Sequence, residues 1–411
     1  MAAPERPKLR RLERFYLPGG DDEYVVLSDP LGIAPLEKLD RDFEVVLDAL
    51  DGTKSVSQIR QSLAMVHGLS IERTDLEDFV AQLNRDGFLE GDAFAQLQAT
   101  AVATFDDNER RATCVAGTLY PDDPNELRAL LGELLPHPER RTSSTGRTCG
   151  VLTPHHDFTT AGAVLDQTLR DLPSPADVDL VVVFGTDHAP GMRAFAATDK
   201  DYETPLGLVR TDFELADALF DEVPWVVAES LRHRTAHSIE FACVLLRFLY
   251  GEQCPPMLPI LCGRTLVGSE SGYRARDELL SSLTRLTASR RVLWWGSAEL
   301  SHVGAAYGAT ENDDAERLLE LARTHDTRCI ERIKSGDRPS LSRALERAPP
   351  QVRPSGAATI DTLTHAFDDS VRVDAASYES VSLQFPHLPG LSGWAGLAGV
   401  RFCARDPIAT I

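Results

Sequence analysis

Val151-Leu-Thr-Pro-His155-His156-Asp157-Phe158 is a short apolar run that ends abruptly in two histidines and a carboxylate. Two later segments repeat the plan. Asp179-Leu-Val-Val-Val-Phe184-Gly185 runs into Thr186-Asp187-His188, and Val292-Leu-Trp-Trp295-Gly296 runs into Ser297-Ala-Glu299-Leu-Ser-His302. Continuous apolar runs of this length read as strands buried on both faces, the mark of a parallel sheet covered by helices. Ligands of such sheets bind just beyond the carboxyl ends of the strands. Three strands that each deliver a histidine to that edge, with an acid close by, predict a metal or acid–base site. Neutral imidazole is a common metal ligand and a proton carrier near neutral pH, and two histidines with one carboxylate form the facial set of non-haem iron. The competing reading is a hydrogen-bonded polar cluster that closes the sheet edge.

Ala236-His237-Ser238-Ile239-Glu240 adds to this pattern. Positions three apart share a helix face, so His237 and Glu240 are expected to point together into the crevice as catalytic groups. Glu240 would then orient a ligating histidine from behind. An exposed ion pair is the plainer alternative, but Leu245, Leu246 and Leu249 argue for a buried helix. His67, His137, His233, His325, His365 and His387 have no such context and read as ordinary surface or core residues.

With 411 residues, 43% of them hydrophobic and 26% charged, the chain has room for one large domain and a smaller one. Its net charge of -21 excludes a nucleic-acid or anionic-membrane surface, both of which require a basic patch. No apolar run approaches the roughly 20 residues that span a bilayer. The basic start Met-Ala-Ala-Pro-Glu-Arg-Pro-Lys-Leu-Arg-Arg has no apolar stretch behind it, so no signal peptide is expected. Seven cysteines, at 114, 149, 243, 254, 262, 329 and 403, form no CxxC pair. That suits reduced thiols and a cytoplasmic location, and Cys262 and Cys403 read as small buried hydrophobes.

The first 92 residues predict a small α+β domain. After a strand at Glu23-Tyr-Val-Val-Leu-Ser28, one helix carries Phe43, Val46, Leu47 and Leu50 and stops at Asp51-Gly52. Ser55 or Ser57 caps a second helix with Ile59, Leu63 and Val66 inward. Thr74 caps a third with Leu76, Phe79, Val80 and Leu83 inward, and Gly87-Phe88-Leu89-Glu90 reads as a β-wing. Residues 93–112 lack a clear strand and mark a linker. From 113 to 411, strands alternate with helices, which predicts a three-layer α/β domain. Asn125 caps a helix through Leu134, a loop covers 136–146, and helices flank the loop at 349–354. Strands are expected at 257–262 and 398–403.

Two resemblances follow from these stretches. Ala49-Leu-Asp51-Gly52-Thr-Lys-Ser-Val-Ser-Gln-Ile59, Phe79-Val-Ala-Gln-Leu83 and Gly87-Phe88-Leu89 resemble the winged-helix peptide-recognition domain of the pyrroloquinoline-quinone biosynthesis peptide chaperones. This implies a precursor peptide as partner, added along a sheet edge; the alternative is a helical cap or dimerisation module. The larger domain resembles the Memo family, protein B of the AmmeMemoRadiSam system. The ordered matches are Val115-Ala-Gly-Thr-Leu-Tyr-Pro, Thr153-Pro-His155, Gly185-Thr-Asp-His188 and Tyr202-Glu-Thr-Pro-Leu-Gly207, then His237-Ser-Ile-Glu240, Leu258-Pro-Ile-Leu-Cys-Gly263 and Ser297-Ala-Glu-Leu-Ser-His302. Memo proteins are similar in fold to class III extradiol dioxygenases and have been linked to iron, copper and oxidation chemistry. The resemblance implies His155 and His188 as ligands of a divalent metal, iron or copper, His302 as the acid–base histidine, and a radical-SAM partner.

The departures are specific. Where the family has Pro-His-Ala-Gly-Tyr, this chain has Pro154-His155-His156-Asp157-Phe158, which adds two potential ligands. The family's ligand cysteine falls at Ser355 in Ser355-Gly356-Ala-Ala-Thr-Ile360, and a neutral hydroxyl is a poor substitute for a thiolate. The usual Asp of Ser-Ser-Asp-Phe-x-His is Glu299. Two readings result. Either the metal is kept with His156, Asp157 or Asp187 as third ligand, or the fold has lost its metal and serves as a binding scaffold. A hydrolase using Asp or Ser355 as nucleophile fares worse, because no Gly-x-Ser-x-Gly elbow or base accompanies Ser355.

Overall fold

The computed structural model describes residues 4–19, 22–136, 148–189, 191, 193–307, 309, 314–352, 354–383 and 393–404. The expected loop at 136–146 lies almost wholly outside them, as do His137 and His387. The chain divides into two compact units, one built mainly on Met1–Asp107 and the other on Asn108–Gly304, Ala309–Leu383 and Gly393–Ile411.

In the first unit, strands Glu13–Gly19, Asp22–Ser28 and Glu37–Asp40 pair antiparallel in that order. Helices Glu44–Ala49, Val56–His67 and Arg73–Arg85 follow and bury Val46, Leu47, Ile59, Leu63, Leu76, Val80 and Leu83. Ser55 caps the second helix in a capping box with Gln58, and Gly68 closes it at φ 66°. Thr74 is not the third cap; Glu72 occupies that position without a side-chain bond, and Val66 is exposed. The stretch at 87–90 pairs with the chain's own start rather than forming a hairpin. Arg10 N–H donates to the Phe88 carbonyl at 2.9 Å, and Glu90 N–H to the Lys8 carbonyl at 2.8 Å. The expected linker is largely a helix, Asp92–Asp107, and belongs to this unit.

The second unit is organised by one eight-stranded sheet. Across it run His302–Val303, Gly393–Ala404, Thr148–Thr153, Val292–Ser297, Leu180–Thr186, Met257–Cys262 and Phe195–Ala197, with Val371–Leu383 also paired to Gly393–Ala404. The four central strands are parallel and the flanking ones antiparallel. Residues 180–186 and 257–262 are buried at every position, as a sheet covered on both sides requires.

Two glycines identify the layers. A Cβ on Gly185 would collide with Ile239 in the helix His237–Tyr250, whereas a Cβ on Gly296 would collide with Leu363 in the helix Ala357–His365. Gly296 pairs with Phe184, the neighbour of Gly185, so the two glycines face opposite sides of the sheet. A helix lies on each side, and the unit has three layers. Helix 124–134 is capped by Asp123 rather than Asn125. The strand at 371–383, half-buried and mixed in pattern, was not expected from sequence. Among the described residues no helix is long and apolar enough to cross a membrane.

Candidate metal centre

Sheet register brings the histidine strands level. Ser297 pairs with Thr153 on one side and Gly185 on the other, so all three strands end together. His155 lies two residues past the end of the first at Thr153, and His188 two past the end of the second at Thr186. His237 is delivered differently, as the first residue of a helix docked on the sheet. Ser238 Oγ donates to the Thr186 carbonyl at 2.7 Å, and Ser297 Oγ donates to the Ser238 carbonyl at 2.6 Å. These bonds tie the helix start to two strand ends, and the bare Gly185 lets it approach.

The outcome is a three-histidine group. One ring nitrogen each from His155, His188 and His237 lies within 4.8 Å of the others. His155 Nε2 and His188 Nε2 are 3.1 Å apart, and the His188 and His237 rings stack at 4.8 Å between centroids. Ligand bonds of about 2.0–2.1 Å at roughly right angles place two nitrogens about 3 Å apart, so the pair fits a shared ion. Burial pushes the His155 imidazole down to about 3 and holds His188 well below its ordinary value, with His237 below it too. All three therefore present uncharged nitrogens near neutral pH, as ligation demands. His155 Nδ1 is buried without a hydrogen-bond partner. A divalent transition ion fits such a donor set, since imidazole suits iron, copper and zinc.

Beside it, Glu299 joins two further histidines. One carboxylate oxygen is 3.1 Å from His156 Nδ1 and the other 2.8 Å from His302 Nε2. Burial would raise this carboxyl, but His155, His156 and His302 hold it well below the usual carboxylate range. Against the effect of burial, Glu299 and Asp157 hold His156 above its ordinary value. Glu299 acts electrostatically on His155, His188 and His237 alike, which makes it the anion that offsets charge at the centre.

Several residues expected at the site have other partners. His237 lies beside His155 and His188 in the candidate ligand group, while Glu240 turns to other partners. His156 turns its Nδ1 to Glu299, with Nε2 3.4 Å from Asp157. Asp157 caps the helix Phe158–Leu169 by accepting from Thr160 N–H at 3.0 Å. Asp187 pairs with buried Arg232 at 2.6 Å and accepts from Ala189 N–H at 2.8 Å; burial pushes it up to about 6 against the pull of Arg232. Ser355 Oγ is buried without a partner, so no base activates it, while its N–H donates to the Leu300 carbonyl at 3.1 Å.

Glu240 departs furthest from expectation. Its carboxylate is buried against Arg111, accepts from the Tyr120 hydroxyl, and accepts from the N–H groups of Cys114 at 2.7 Å and Val115 at 3.1 Å. Arg111 in turn donates to the carbonyls of His233 and Ala236, each at 2.9 Å. The pair therefore fixes the backbone that leads into His237. Arg111 was missed because it lies in a polar stretch read as linker. The only available signal was a buried glutamate in need of a cation.

Two predictions arise here. Gly185→Ala should destabilise the fold by about 1–3 kcal/mol through overpacking, because its Cβ would sit 2.8 Å from Ser238 Oγ as well as against Ile239. Urea unfolding measures it, and an unchanged midpoint would refute the close approach. The second concerns acid. His233 donates from Nε2 to the Ala196 carbonyl at 2.9 Å and accepts the Tyr202 hydroxyl at Nδ1 at 2.6 Å, and burial pushes it down to about 3. Like His155, it is neutral when folded but titrates near about 6.5 when unfolded. Below that pH the unfolded chain binds more protons, so the stability of the metal-free protein is full above about 6.5 and declines toward pH 3. Equal urea midpoints at pH 7.5 and 5 would contradict this.

A three-layer α/β unit with three desolvated imidazoles, His155 buried and His188 and His237 half-buried, converging at its strand ends defines a class: an α/β protein with a candidate metal centre beyond its parallel sheet. Comparison with known proteins makes this more specific. Residues 111–376 match the family model described as Memo-like protein. A MEMO1 family protein of Aquifex aeolicus is 24% identical over 311 residues, covering 75% of this chain and 79% of that one. One from Methanopyrus kandleri is 32% identical over 149 residues, 34% of this chain and 53% of its own. One from Nitrosopumilus maritimus is 25% identical over 217 residues, 51% and 76%. The chain belongs to the Memo-like family.

Proposed function

We propose that this protein is a metal-dependent oxidoreductase of extradiol dioxygenase-like chemistry, with iron or copper held by His155, His188 and His237. The observation that carries the reading is the convergence of three uncharged imidazoles, one buried and two half-buried, on one point. A bound ion of this kind supplies Lewis-acid polarisation and one-electron chemistry. The chain's own residues do the rest. The Glu299 carboxylate lies within hydrogen-bond reach of His156 Nδ1 and His302 Nε2 and would orient both rings, with His302 as the general acid–base group. Burial of His155, Glu299 and His302 keeps bulk water from the reacting group. A metal-free scaffold would leave three imidazoles desolvated with no ion to reward it.

The same reading gives the first unit the task of presenting a precursor peptide. Its support is the strand Glu37–Asp40, which among the described residues pairs only with Asp22–Ser28 and so offers an edge for strand addition. Only Lys54, Arg60, Arg73 and Arg85 are basic between Phe43 and Glu90, too few for a polyanion.

The test is elemental analysis after loading with ferrous or cupric ion. Wild type should retain about one equivalent, His155→Ala/His188→Ala should retain none, and Ser355→Ala should match wild type. Equal metal content in wild type and the double variant would sink the proposal.

A further inference from the structure

Outside this centre, the helices Ala315–Ser335 and Arg338–Glu346 enclose a cavity of about 310 Å³ with an unusual wall. Arg328 and Arg332 come from the first helix, Arg343 and Arg347 from the second and its end, and no carboxylate lines the space. In a chain of net charge -21, four arginines lining one pocket run against the bulk composition. The spacing is also costly. Arg328 and Arg332 are four apart, as are Arg343 and Arg347, so like charges stack on each helix. Helix ends explain two of them: Arg332 and Arg343 lie in last turns, where the dipole favours a cation. Arg328 has no such reason.

Local partners absorb only part of the charge. Arg332 approaches Asp337 only to 3.6 Å, and Arg343 donates to Ser340 Oγ at 2.9 Å. Arg328 and Arg347 form no ion pair among the described residues, and both are exposed. His325 also stands at the wall, paired with Asp326. His325 is buried with Nδ1 3.4 Å from Asp326, and although burial works against it, Asp326 and Cys329 push it up to about 10. It is an imidazolium at neutral pH.

We propose that this cavity binds a small soluble organic phosphate, with its phosphoryl group held by Arg328, Arg332, Arg343 and Arg347. Planar guanidinium forks match phosphoryl oxygens two at a time. A carboxylate brings one negative charge to a pocket lined by four arginines, whereas a phosphate ester brings nearly two. Leu321, Ala344 and Pro349 supply an apolar wall for the carbon body, and the volume is at the small end for ligand pockets. The same phosphoryl chemistry on a lipid headgroup is disfavoured, because a -21 chain is repelled by an anionic bilayer.

The test is calorimetric titration of the full chain with pyrophosphate, after chelation to keep the probe off any metal. Wild type should bind one equivalent, more weakly as salt rises, and Arg328→Ala/Arg347→Ala should weaken binding about tenfold or more. Both arginines are exposed, so the variant's melting temperature without ligand should equal wild type's, and His155→Ala/His188→Ala should bind like wild type. Vesicles carrying phosphatidylinositol phosphates should not bind. Absence of pyrophosphate binding, equal affinity in the arginine variant, loss of binding in the histidine variant, or binding of vesicles in place of pyrophosphate would each overturn the proposal.

Discussion

Glu240→Ala should cost the fold about 3–5 kcal/mol, the usual penalty for stranding one member of a buried ion pair. Arg111 and Glu240 are both essentially inaccessible, and the carboxylate satisfies the Arg111 guanidinium, the Tyr120 hydroxyl and two backbone N–H groups. Alanine leaves all of those donors without an acceptor and leaves a buried cation. The double variant Arg111→Met/Glu240→Leu should recover much of the loss, because it removes both charges together, and the single costs should fail to add. Urea midpoints of the three variants measure this. A Glu240→Ala loss below about 1 kcal/mol, the range of exposed pairs, would show that the network does not hold the helix start. Metal retention should fall with stability, since Arg111 anchors the carbonyls of His233 and Ala236 just ahead of His237.

His237→Ala should have the second large effect. Loss of an outer partner of a ligand typically lowers metal affinity by roughly 10–100-fold, and removal of a ligand should exceed that. His156→Ala should fall inside that range, because His156 reaches the centre only through Glu299. Competition against a chromophoric chelator gives both values. If His156→Ala lost more affinity than His237→Ala, the ligand set would have to be redrawn around Glu299 and His156.

The contrast between these two histidines shows what the sequence could reveal. Residues 180–186 and 257–262 are buried on both faces, so their apolar runs announced parallel strands, and a parallel sheet fixes where its carboxyl ends gather. His155 and His188 were legible for that reason. His237 was legible as a site residue but not as a ligand, because its place depends on how closely a helix docks over Gly185 and through Ser238. Helical spacing placed Glu240 near His237 but could not say which neighbour would claim it. The claimant, Arg111, lies in a polar stretch without periodicity. His156, Asp157 and Asp187 have the right chemistry for ligands, and only three-dimensional packing assigns them to Glu299, to a helix cap and to Arg232. The long strand at 371–383 escaped notice because its partner strand buries it unevenly, leaving no clean alternation.

The most direct test is crystallographic: crystals of the metal-loaded protein, with anomalous data collected at the metal edge. The account predicts one strong peak at the strand ends, about 2.0–2.2 Å from one ring nitrogen each of His155, His188 and His237, with Glu299 still between His156 and His302. A peak bound by Asp157, Asp187 or Ser355 without His237, or a peak away from these histidines altogether, would contradict it.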